Sequence, residues 1–102
     1  MKMLTQALIK KIPPLYTHEK SHPEDVPVVV KFFTPWSNWT WYVTEGEKQE
    51  NGDWYFFGYV KGFANELGYF LLSELTGVTG PAGLKIERDI HFEGKTLADI
   101  MD

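Results

Sequence analysis

The sequence predicts an α+β domain: a mainly antiparallel sheet of four or five strands with short N-terminal, middle and C-terminal helices. Three observations carry this expectation. β-Branched and aromatic residues gather in short runs, "VPVVVKFF", "WTWYVT" and "WYFFGYVKGF", the composition that suits a pleated, half-buried surface. Turn-forming residues separate these runs, among them Asn51-Gly52 and "TGPAG". A four-residue apolar period occurs at the start of the chain, where Leu4, Leu8 and Ile12 share one helical face.

The opening "LTQALIKKIPP" is read as a short helix. Thr5 is placed to cap its first turn, Leu4 and Ile9 form a hydrophobic staple, and Pro13-Pro14 stop it. Residues 16–27 are polar and closed by proline, hence a loop, and they hold His18 and His22. Strands follow over 26–33, 39–44 and 54–63. An acidic hairpin loop is expected at 45–53, carrying Glu45, Glu47, Glu50 and Asp53. Residues 64–75 are better read as a turn, a strand "YFLL" and a helical turn begun by Ser73 than as one helix, because Gly68 in mid-helix costs about 1 kcal/mol. "LKIERDIHF" alternates as a strand with Leu84, Ile86, Ile90 and Phe92 inward, and Arg88 among them. Thr96 caps a last helical turn. Without repeats or linkers, residues 1–102 are expected to form a single domain.

Composition narrows the function. The 102 residues carry 14 acids against 10 bases, a net charge of −4, which disfavours an electrostatic grip on duplex DNA or an anionic membrane. There is no cysteine, so disulfides, thiolate metal sites and cysteine nucleophiles are excluded. The first residues are too short and too interrupted by lysine for a signal peptide or a span, and a soluble, cytoplasmic protein is expected.

The sequence devotes 16% of its residues to aromatic rings and concentrates them in "TPWSNWTWYV" and "DWYFFGY". Most are expected in the core. Both alternating faces of the 54–63 strand are aromatic, however, and two or three short helices cover little area, so some rings are expected to face outward. Trp36, Trp39, Tyr42, Tyr55 and Tyr59 are the candidate partner-binding residues. The partner expected is a protein or a second copy of the chain. Single-stranded nucleic acid is the alternative, with Lys31 and Lys61 beside the rings, but a strand binder usually brings more cations than this. A possible polar site is Glu87, Asp89 and His91, which strand alternation puts on one face. Ser21, Ser37 and Ser73 lie outside any nucleophile elbow, and "GFANELG" and "GVTGPAG" lack the lysine of a phosphate loop. No catalytic residue, metal or cofactor is assigned, and a non-enzymatic role is favoured over a small metal-dependent enzyme.

The pieces "FFTP-SNWTWY", "FFG-V-GF--ELGYF-LSEL" and "ERD-HF" together resemble a small bacterial family known as a domain of unknown function, DUF 2958. The likeness runs from "LTQALIKKIPPLY" to "KTLADI". Trp36, Leu72 and the bulky "WYFFGY" add apolar area beyond what the family leads one to expect. The resemblance implies a setting on plasmids, integrative elements and phage-like islands, and it brings no activity or catalytic residue with it.

Overall fold

The structure is a computed structural model and describes residues 2–101. It has the expected α+β architecture. The elements are α1 (Gln6–Lys11), β1 (Val30–Phe33), β2 (Thr40–Lys48), β3 (Trp54–Lys61), β4 (Asn65–Leu71), α2 (Leu72–Thr76), β5 (Glu87–Arg88) and α3 (Leu97–Ile100). The five strands form one antiparallel sheet in the order β4-β3-β2-β1-β5.

Local chemistry accounts for most boundaries. Leu8 N–H donates to Thr5 Oγ1 at 3.2 Å, the cap expected of Thr5, and Ile12 leaves helical geometry just before the prolines. The Thr96 amide donates to Asp99 Oδ2 at 2.7 Å and fixes the start of α3. The strand-then-helix reading of 64–75 holds: β4 gives way to α2 at Leu72, although β4 already starts at Asn65, where a turn was expected.

Asp53 ties the β2–β3 hairpin to α2. Its carboxylate accepts from Trp54 N–H, Ser73 N–H and Ser73 Oγ, the last at 2.6 Å. The Ser73 hydroxyl, first, and the two backbone amides hold this acid below its ordinary value of 3.8. A carboxylate whose pKa is lowered by folding stabilises above its unfolded pKa and loses that stabilisation as pH falls through the folded one. Unfolding midpoints in urea are therefore expected to decline below about pH 3.8, and Asp53→Asn should lower the midpoint at neutral pH and flatten the acid limb.

Two expectations are corrected. The loop placed at 45–53 begins later than expected: β2 runs on to Lys48, and the reversal is confined to residues 49–53, with Gly52 at φ +89°. The strand placed at 84–92 shrinks to Glu87–Arg88 at the sheet edge. Asp89 ends it by accepting the His91 amide on its own side chain, a local turn that competes with the ladder. Ile90 is then left 61% exposed and Leu84 42%, while only Ile86 of the inward set is buried.

The sheet has two faces with different covers. On the first, Val30, Phe32, Val43, Phe56 and Phe70 form the main core, packed by Leu4, Leu8 and Ile12 beside α1, by Leu72 and Leu75 of α2, and by Ile86 and Trp36. Arg88 belongs to this face by register and donates from Nε to the Lys2 carbonyl at 3.1 Å. On the second, Tyr42 and Tyr59 lie under Val26, Val28, Phe92, Leu97, Ile100 and Met101. The chain end is pinned there by Leu97 N–H to Val26 O at 2.8 Å and Val28 N–H to Lys95 O at 2.9 Å. This cover stops short of the β3–β4 end. Among the described residues no helix is long and apolar enough to cross a membrane.

Candidate functional site

A β-bulge creates the site. Val43 faces Gly58 across the β2–β3 ladder, but Glu45 faces Phe57, so Thr44 is an extra residue. The insertion changes which side Glu45 occupies. Simple alternation would send it to the first face with Trp41 and Val43; the bulge sends it to the second, among Tyr55, Phe57 and Tyr59. Thr44 settles the irregularity by donating from Oγ1 to the Phe57 carbonyl at 3.1 Å.

Glu45 is only 4% exposed. Its carboxylate accepts Tyr16 N–H at 2.9 Å on Oε1 and His18 N–H at 2.7 Å on Oε2. A buried carboxylate is tolerated where it is hydrogen-bonded in this way. The two bonds fasten residues 16–18 over the sheet, and Tyr16 adopts φ +71°, a left-handed conformation that is uncommon for a bulky residue.

Between this loop and the sheet lies a cleft of about 300 Å³, with Tyr16, Glu45, Phe57, Leu67 and Tyr69 among its walls. Tyr69 packs against Phe57 with centroids 4.9 Å apart and stacks on Tyr55 at 5.2 Å, nearly parallel. Tyr16 is 62% exposed, Tyr69 46% and Leu67 44%. Burial, first, and then the neighbouring Tyr16 phenol, with smaller contributions from Tyr55 and Glu45, hold the Tyr69 hydroxyl above its ordinary value of 10.0. Its phenol thus stays neutral, a donor as well as an acceptor, throughout the physiological range.

The residues singled out in the sequence are scattered. Tyr55 is half-buried, stacked on Tyr69, and does not itself line the cleft. Tyr42 and Tyr59, expected to offer ring surface, are 9% and 5% exposed because the chain end packs over them. Trp36 is half-buried against the main core, its ring lying over Gly80. Trp39 stacks on Trp41 at 5.8 Å and meets the edge of Phe63, a ring 99% exposed at the β3–β4 turn. Lys31 pairs with Asp89 at 3.5 Å. Asp89 is thereby engaged with Lys31 and with the His91 amide, and His91 is exposed; among the described residues no group of three such side chains is arranged to hold a metal ion. The cleft residues Tyr16, Leu67 and Tyr69 were missed. The signal for two of them was present, since Leu67 and Tyr69 share one parity opposite Phe70, but a turn was expected ahead of "YFLL" where β4 already runs.

No curated protein matches the chain, and no solved structure does. The family model described as a protein of unknown function, DUF2958, matches residues 3–100. With that match spanning nearly every element of the fold, the chain belongs to the DUF2958 family.

Proposed function

We propose that the protein is a non-enzymatic interaction module that docks a protein partner on the second sheet face, at the cleft between residues 16–18 and the β3–β4 end, and that it serves as an accessory protein of mobile genetic elements. The observation that carries the docking reading is the grouping of Tyr16, Leu67 and Tyr69 as exposed apolar surface around one concavity. Tyrosines of this kind supply large contact area at low entropic cost and are enriched where interfaces hold most of their energy. β4 is the last strand of the sheet, so its outer edge borders the same patch and offers a partner backbone a place to align. A nucleic-acid strand is disfavoured at this position, because no lysine or arginine lines the cleft among the described residues.

The test is capture from the native bacterium with the wild type and with Leu67→Ala/Tyr69→Ala. Both positions are exposed, so the variant should fold. A protein retained by the wild type and lost with the variant is the expected result. Equal retention, or binding of labelled oligonucleotides at low salt that the variant leaves intact, would overturn the proposal.

A further inference from the structure

We infer that the cleft receives an arginine side chain of the partner; this rests on the docking reading and specifies what the cleft recognises. Glu45 is a buried acid with two hydrogen bonds, both from backbone amides. A carboxylate offers about four acceptor positions, so two remain. No lysine or arginine lines the cleft among the described residues; His18 lies on its wall, and Glu19 adds a second acid. Around this anionic floor stand the rings of Tyr16, Phe57 and Tyr69. A desolvated carboxylate surrounded by aromatic faces is the complement of a guanidinium, which stacks on rings while donating in its own plane. An ammonium is more strongly hydrated and gains less from ring faces. The volume, about 300 Å³, is at the lower end for a ligand pocket and suits one side chain better than a cofactor.

The full chain, labelled with ¹⁵N, is titrated with N-acetyl-arginine amide and, separately, with the neutral citrulline analogue. The expected result is a saturable shift of the Tyr16 and His18 amide signals in the millimolar range, the affinity of a lone side chain, with citrulline about tenfold weaker or more. Glu45→Gln should abolish the response. Tyr69→Ala, at an exposed position, should weaken it without unfolding the protein. An equal response to citrulline, shifts confined to other regions, or indifference to Tyr69→Ala would overturn the inference. If arginine fails while the captured partner still depends on Leu67 and Tyr69, this inference falls and the docking reading stands. If arginine binds but the partner is indifferent to those two residues, the docking reading falls, and with it the assignment of the arginine to that partner.

Discussion

Phe56→Ala is expected to destabilise the protein by about 3–5 kcal/mol, the range for removing a buried ring. Phe56 has no exposed surface, and its ring meets Phe70 at 5.7 Å, Trp54 at 6.0 Å and Phe32 at 6.2 Å. It is the contact through which β1, β3 and β4 share one core. Gly46 is small because Phe56 is there: a Cβ on Gly46 would lie 2.8 Å from the ring. The cavity left by alanine has no flexible neighbour to fill it on the strand side, where the backbone is fixed by the ladder. Small domains have roughly 5–15 kcal/mol in total, so a large fraction of the stability is at stake. Urea unfolding measures this, and Phe63→Ala is the control: at 99% exposure it should change stability by no more than about 0.5 kcal/mol.

Glu45→Ala should have the second largest effect, and a more local one. Two amides of the covering loop lose a charged acceptor, and such bonds contribute about 1.5–3 kcal/mol each. Tyr16 would then keep only the local turn bonds around it, such as Thr17 N–H to Pro14 O and Glu19 N–H to Tyr16 O, and residues 16–18 should lift from the sheet. The expected outcome is a loss of about 2–4 kcal/mol, together with fast amide exchange at Tyr16 and His18. Glu45→Gln preserves the shape but keeps an acceptor on one side only, so it should fall between the wild type and alanine. Unchanged exchange at both amides in Glu45→Ala would show that the loop is held by something other than this carboxylate.

These two residues also mark what the sequence discloses and what it hides. The alternation in "WYFFGYV" places Phe56 and Val60 on one side and Tyr55, Phe57 and Tyr59 on the other, as the register confirms. The caps at Thr5 and Thr96 were readable because capping depends on neighbours within a few residues. Glu45 was not readable. Its place depends on the bulge at Thr44, which shifts side-chain parity by one and leaves no mark in a string of residue types. That Tyr55 is only half-buried while Tyr59 is buried was equally hidden, since it depends on where the distant chain end packs. Aromatic density foretold surplus ring surface; long-range packing decided that exposed rings sit at Tyr16, Phe63 and Tyr69 in place of Tyr42 and Tyr59.

Whether the cleft face docks a protein is read most directly from the affinity of a captured partner, purified, for the wild type and for Leu67→Ala/Tyr69→Ala at matched stability. Loss of about tenfold or more in affinity, the scale of truncated interface anchors, is the expected result. An affinity unchanged by removing both side chains would contradict the assignment.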